Sequence, residues 1–250
     1  MKTFENFNKK INNYEYRKVL HNSIFNRDIN IFENYLSKID ISPKLGKSSI
    51  LHLLINDNAP IEYIKLVLEK GINPNLTDYN NSTPLMYATN NKQIDLVKLL
   101  LEYDADPDLK NNNQVSSFLI SNLDEITILF IDNGSDVNQL DIKNQNILLR
   151  RSFTLKLSQK NVIKKLSENN FNFNHTTNQN QTILHLLNRN KQFLMLSLNL
   201  LEYVDWTIQD NNGKFFCDDL DEDFKKEIFN LYPQKYQECL RIKAAKNFNI

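Results

Sequence analysis

Residues 81–108 read NSTPLMYATNNKQIDLVKLLLEYDADPD, two short helical stretches with their start and stop signals attached. Thr83 is a good N-cap, Pro84 fits the first helical position, and Leu85 and Ala88 fall on one face. A second apolar stretch ends in Leu100-Leu101. A polar loop with Asp104, Asp106 and Asp108 follows. The pattern predicts a helix, a tight reversal, a second helix and a loop.

The same grammar recurs outward in both directions. Related helix starts are Ser49-Ile50-Leu51-His52, Ser116-Ser117-Phe118-Leu119, Asn146-Ile147-Leu148-Leu149 and Thr182-Ile183-Leu184-His185. The inward residues are Leu51, Leu85, Phe118, Leu148 and Leu184, at spacings of 34, 33, 30 and 36. A fixed period of this size marks a stacked-repeat architecture, in which one unit cannot bury its apolar face alone. Leu100-Leu101-Glu102-Tyr103-Asp104-Ala105-Asp106 and Leu200-Leu201-Glu202-Tyr203-Val204-Asp205-Trp206 repeat almost letter for letter. That match sets Trp206 opposite Asp106, in a loop position that is normally polar.

The period and the residues Thr83-Pro84-Leu85, Ala88, Val97, Leu100-Leu101, Ala105 and Asp108 resemble the ankyrin repeat. Gly71 and Asn75 match its second half, as does Ile131–Asn138, and His52 and His185 stand at its motif histidine. The resemblance spans roughly residues 15–220. It implies an all-α, ankyrin-like solenoid of stacked helix pairs with hairpin loops. It also implies that each motif histidine bridges backbone groups of neighbouring loops. Where the family has a glycine before each start, this chain has Lys47, Asn81, Gln114, Asn144 and Asn180. Asn tolerates left-handed backbone better than other non-glycine residues, so most of these replacements are physically reasonable. The repeat from about 111 is some three residues short between its helices. The next, around Arg150 to Asn161, is about three longer.

By parts, 1–14 is a polar lead-in and 15–46 a divergent helix pair with Leu20, Ile24, Ile31, Phe32, Tyr35 and Leu36 inward. Residues 47–211 carry the repeats. Residues 212–250 form a capping unit with Leu220, Phe224, Ile228 and Phe229 inward, then a tail helix with Tyr236, Leu240 and Ile242 as apolar contacts.

Composition excludes several functions. Four glycines, at 46, 71, 134 and 213, cannot write a phosphate-binding loop, a dinucleotide fingerprint or a nucleophile elbow. With 30 basic and 30 acidic residues the net charge is zero, which argues against a nucleic-acid binder. Cys217 and Cys239 are 22 apart, so neither a zinc site nor a disulfide framework is indicated and free thiols are expected. No segment reads as a secretory signal or membrane span, so a cytoplasmic protein is expected, in the producing cell or, if a signal-independent system exports it, in a host cell. The 39 Asn fit an AT-rich genome and turn preference.

Candidate chemistry is thin. His21 and His175 have no partner spacing. Residues 218–223 (DDLDED) fail as a calcium loop and read as charges capping the following helix. Arg150-Arg151 read as a solvated pair, with an acidic or phosphate contact as the alternative. Phe215 and Phe216 read as cover for the last core layer. With no catalytic constellation, we expect no enzyme, no metal and no cofactor.

The expectation is a protein-binding module with another protein as partner, monomeric by default. Its concave face would carry Tyr79 and Asn81 at a tip and Tyr87 and Asn90 on the inner helix. Asn112, Gln114 and Asn122 follow one repeat later, and Trp206 lies at the far end. Tyr79, Tyr87 and Trp206 are the expected anchors, since aromatics dominate binding hot spots. An immunity protein that occludes a toxin is one version. An effector acting on a host protein and a regulatory subunit are the alternatives.

Overall fold

The computed structural model describes residues 18, 22–24, 26, 28–37, 49–151, 160–187, 200–220 and 222–247. These form helices and turns without strands. The polar lead-in, Leu20 and Lys47 lie outside the described residues, as does the Tyr35 side chain. The chain divides into two compact units, residues 1–133 and 134–250.

The first unit contains α1 (Ile29–Leu36), α2 (Ile50–Asn56), α3 (Ile61–Glu69), α4 (Pro84–Asn90), α5 (Ile94–Glu102), α6 (Ser117–Ile120) and α7 (Asp124–Asp132). Helices α2 and α3, α4 and α5, and α6 and α7 follow one another as pairs. The first members stack as α2, α4, α6, and α5 packs on α7. Leu51, Leu85 and Phe118 are fully buried at the three starts. The second members bury Ile64 and Val67, Val97 and Leu100, and Ile126 and Phe130 against them. At the N-terminal end Phe32 meets the Tyr63 ring edge-on at 4.8 Å. Ile31, expected inward, is exposed.

The start signals work as read. The Met86 N–H donates to Thr83 Oγ1 (3.3 Å) and the Leu119 N–H to Ser116 Oγ (3.3 Å). Helix α6 has 4 residues where α4 has 7, so the missing three residues come out of the first helix of that repeat.

The second unit contains α8 (Ile147–Arg151), α9 (Lys160–Glu168), α10 (Ile183–Leu187), a 3-10 turn (Phe216–Asp219), α11 (Glu222–Leu231) and α12 (Pro233–Asn247). Helices α8 and α10 stack. The Leu149 N–H donates to Asn146 Oδ1 (3.0 Å), the same cap with an amide. Phe215, Phe216, Leu220, Phe224 and Ile228 are buried at the C-terminal end. Phe229, expected inward, is exposed and meets Tyr236 edge-on at 5.9 Å. In α12, Leu240 is exposed and Tyr236 and Ile242 are half-buried, so the buried contact of that helix is Cys239.

Candidate functional site: the finger loops

Among the described residues, five units open with a five-residue ring that forms a finger. Asp78, Asn111, Asp141, Thr177 and Asp210 occupy its first position, at spacings of 33, 30, 36 and 33. The backbone N–H of each donates to the carbonyl four residues on: Ser82, Val115, Gln145, Gln181 and Lys214. The side-chain oxygen of each accepts the N–H groups two and four residues on. For Asp78 these are Asn80 and Ser82, both at 2.8 Å. The fourth residue must turn left-handed: Asn81, Gln114, Asn144 and Asn180 have φ of 57 to 58°, and Gly213 has 77°. The replacement of glycine by Asn is therefore made where left-handed backbone is needed.

Histidines tie successive fingers together. His52 Nδ1 accepts the Ser49 N–H (3.2 Å), which leaves the proton on Nε2 to donate to the Ser82 carbonyl (2.9 Å). His185 repeats this with Thr182 (3.2 Å) and the Lys214 carbonyl (3.1 Å). His175, for which no partner was expected, donates from Nε2 to the Asn144 carbonyl (2.8 Å).

Two of the ring acids, Asp78 and Asp141, also receive a side chain from nine residues on. The Tyr87 hydroxyl donates to Asp78 Oδ2 (2.7 Å), and Arg150 pairs with Asp141. Where the ring residue is uncharged, Asn111 or Thr177, that place holds Ile120 or Leu186. Arg150 is thus a brace for its finger rather than a solvated cation, and Arg151 is buried. Burial, then the hydrogen bond and charge of Asp78, push the Tyr87 phenol up to about 12. It stays neutral and donating at any ordinary pH.

The structure brings four of the expected residues together at the first unit's tips. Tyr79 is 65% exposed. The Asn112 N–H donates to the Asn80 carbonyl (2.9 Å), and its amide to the Tyr79 carbonyl (3.4 Å). The Asn81 amide donates to Asn112 Oδ1 (2.7 Å). Gln114 is exposed beside them as the left-handed residue of its ring. Tyr87 is half-buried behind the tip, edge-on to His52 at 5.2 Å. Asn90 is exposed one helical turn further along α4, and Asn122 in the link before α7. In the second unit Ile142 is 69% exposed at the place in its ring that Tyr79 has in the first. The signal for it, an apolar residue directly after the ring acid, was present in the sequence and went unread.

Trp206 is a correction. It is 3% exposed, its Nε1–H donates to the Leu201 carbonyl (2.9 Å), and it meets Phe216 edge-on at 5.3 Å. The letter match that set it opposite Asp106 slips by one. The Ala105 N–H bonds back five residues to Leu100, but the Val204 N–H bonds back only four, to Leu200. One residue is missing from the last loop. Asp205, whose carboxylate accepts the Thr207 N–H, is the counterpart of Asp106, which accepts from Asp108. Trp206 is then the counterpart of Pro107, a buried position.

A second set of amides joins repeats at the opposite ends of the fingers. The Asn75 amide donates to the Asp104 carbonyl (3.0 Å) and its Oδ1 accepts the Asp106 N–H (2.8 Å). Asn138 does the same with Asn170 and Asn172, and Asn174 accepts from Asp205. Part of the Asn richness is therefore structural, because an amide can donate and accept at one rung.

Electrostatics elsewhere are local. Lys98 of α5 bonds Glu125 of α7 (3.1 Å). Asp218 accepts the Phe215 N–H (2.9 Å) and pairs with Lys243, while Glu222 pairs with Lys225 (2.8 Å). Asp218, Glu222 and Asp223 therefore serve helix ends and ion pairs, in line with the capping reading, and Asp221 lies outside the described residues. Among the described residues no cluster of His, Cys, Asp or Glu could hold a metal ion, and no helix is long and apolar enough to cross a membrane.

Comparison with known proteins agrees with this construction. Residues 20–111 match the family model for ankyrin repeats, in three copies. No curated protein sequence matches the chain. Among solved structures, the ankyrin repeat domain of Bcl-3, described as a unique member of the IkappaB protein family, matches with a TM-score of 0.69. That match has 15% identity over 89% of this chain and 97% of the other. A chain from the complex of the predatory endopeptidase Bd0816 of Bdellovibrio bacteriovorus with immunity protein Bd3460 matches with a TM-score of 0.57. Here the identity is 19% over 69% of this chain and 91% of the other. At these identities the likeness is one of fold.

Proposed function

We propose that this ankyrin-repeat protein is a non-enzymatic binding module whose finger tips grip another protein. The fold is one that binds proteins, and the observation that carries the reading is Tyr79. A large ring stands two-thirds exposed on a loop locked by its own backbone, by Asn112 and, behind it, by Asp78 and Tyr87. A rigid aromatic flanked by amides gives apolar contact and hydrogen bonding with little loss of entropy.

The contact set is Tyr79, Asn81, Asn112 and Gln114 at the tips, with Tyr87, Asn90 and Asn122 behind them. Trp206 has no part in it. The finer version is an immunity protein that covers a toxin's working surface. Its support is the fold shared with a chain of an endopeptidase–immunity protein complex. An effector or a subunit would use the same surface, and the identity of the captured protein separates the three.

The test is paired capture from the source cell. Wild type and a Tyr79→Ala, Asn112→Ala double variant serve as baits, with Lys98→Ala on the outer helix as control. The expected result is a protein retained by wild type and control and weakened at least about tenfold by the double variant, about 1.4 kcal/mol. Loss of binding with Lys98→Ala and none with the double variant would overturn the assignment.

A further inference from the structure

Cys217 and Cys239 are both buried, 4% and 0% exposed, and both are free thiols. Their sulfurs lie 2.9 Å apart. Cys217 sits on the 3-10 turn that ends the last repeat, and Cys239 on α12. One turn on from Cys239, Lys243 pairs with Asp218, the residue after Cys217. Cys239 Sγ also lies 3.5 Å from the Trp206 carbonyl. The two thiols are thus held face to face from both backbones, by the ion pair on one side and the tryptophan layer on the other. A covalent sulfur–sulfur bond is about 2.05 Å, so closure requires an approach of under 1 Å.

We propose that Cys217 and Cys239 are a dithiol that closes into a disulfide by exchange with a small-molecule disulfide, fastening α12 to the last repeat. Cys217 loses its proton and attacks one sulfur of the reagent, forming a mixed disulfide and expelling the first thiolate. Cys239 then loses its proton and attacks Cys217 Sγ, expelling the second. Two protons and two electrons pass to the reagent, which leaves as two thiols. The order has a physical basis. The hydrogen bond from Cys239 holds the Cys217 thiol below its usual range, and the same contact, with burial, pushes Cys239 up. The thiolate is the attacking species. Since both sulfurs are covered, the first step waits on a local opening of α12.

The experiment equilibrates the full chain in buffers of reduced and oxidised glutathione, followed by acid quench, alkylation and peptide mass mapping. The same titration in concentrated guanidinium gives the unfolded reference. The expected product is an internal Cys217–Cys239 link, favoured in the folded chain over the unfolded by at least about 100-fold in effective thiol concentration, the linkage counterpart of a stabilising disulfide. Cys239→Ser should stop at a glutathione adduct on Cys217. A folded chain that closes no more readily than the unfolded one, or that carries two separate adducts, overturns the proposal. The wild-type comparison decides this even if the serine variant does not fold.

Discussion

The start of α4 and the 3-10 turn at the far end of the chain occupy equivalent places, five residues after ring acids Asp78 and Asp210, yet they are built in opposite senses. At Thr83-Pro84-Leu85-Met86 the side chain comes first and caps a backbone N–H three residues later. At Phe215-Phe216-Cys217-Asp218 the fourth residue reaches back to the N–H of the first (2.9 Å), as His52 and His185 do at their own starts, and the first residue has no side-chain oxygen to cap with. Leu85 lies in the middle of a continuing core, and Cys217 at the edge of a finished one, against the added helix α12. The difference teaches how a stack ends. An interior repeat needs apolar mass to meet the next repeat, whereas the last needs a fastening to whatever covers it.

The largest test of that contrast is truncation at the shared place. Leu85→Ala should cost about 2–5 kcal/mol in denaturant unfolding, as buried leucine truncations do. Cys217→Ala should cost about 1 kcal/mol, the ordinary mutational value. Equal losses would mean that the C-terminal edge is core in the same sense as the middle.

Next come the two ring acids. Asp78 accepts two backbone N–H groups and a tyrosine hydroxyl at 2.7 Å, and Asp210 accepts two backbone N–H groups and, at 3.4 Å, the Asn212 side-chain amide. Asp78→Ala should cost about 1–3 kcal/mol, because it leaves several donors without their acceptor. Asp210→Ala should fall lower in that range, because its side-chain bond to Asn212 is the longer one. Burial alone would push the Asp210 carboxyl up, but the Lys214 and Asn212 N–H groups and the Asn212 and Gln181 side chains hold it below its usual value. Its contribution is present above the ordinary carboxylate pKa and is lost as the pH falls below it.

The smallest effect separates the first finger from the last by pH in the other direction. The Tyr87 phenol, raised from 10.0 to about 12, contributes stability that is complete below pH 10 and is lost as the pH climbs toward 12. Tyr87→Phe should cost about 1 kcal/mol at neutral pH. Denaturant midpoints at neutral and alkaline pH should converge for wild type and variant. A constant gap would mean that the hydroxyl does not brace Asp78.

The stacked helices were legible because each helix announces itself within a few residues. Thr83, Ser116 and Asn146 are caps whose partners lie three residues away, and Asn81, Gln114, Asn144 and Asn180 turn left-handed where the pattern lacks glycine. The tip residues Tyr79, Asn81 and Asn112 came out adjacent for the same reason. What escaped was set across longer distances. Trp206 was misplaced because two strings of similar letters differ by one backbone residue, visible only as a hydrogen bond spanning four residues instead of five. Arg150 looked solvated because its acid, Asp141, lies nine residues back across a turn. Ile31, Phe229 and Leu240 belong to helices outside the regular repeats, where the period no longer says which face is covered.

The five-residue ring has a consequence for how such a chain can change length. Each finger is closed by atoms of its own five residues, and its bonds to the finger before, such as Asn112 to Asn80, fix a distance in space and not a number of residues between them. Spacings of 30 and 36 residues sit beside spacings of 33 in one chain, and the short one takes its loss from α6. Insertions and deletions that fall between rings change the helices and leave the tips intact. Exposed tip residues and scaffold length can therefore drift separately, the one by exchanging residues such as Tyr79 and Ile142, the other by gaining or losing turns of helix.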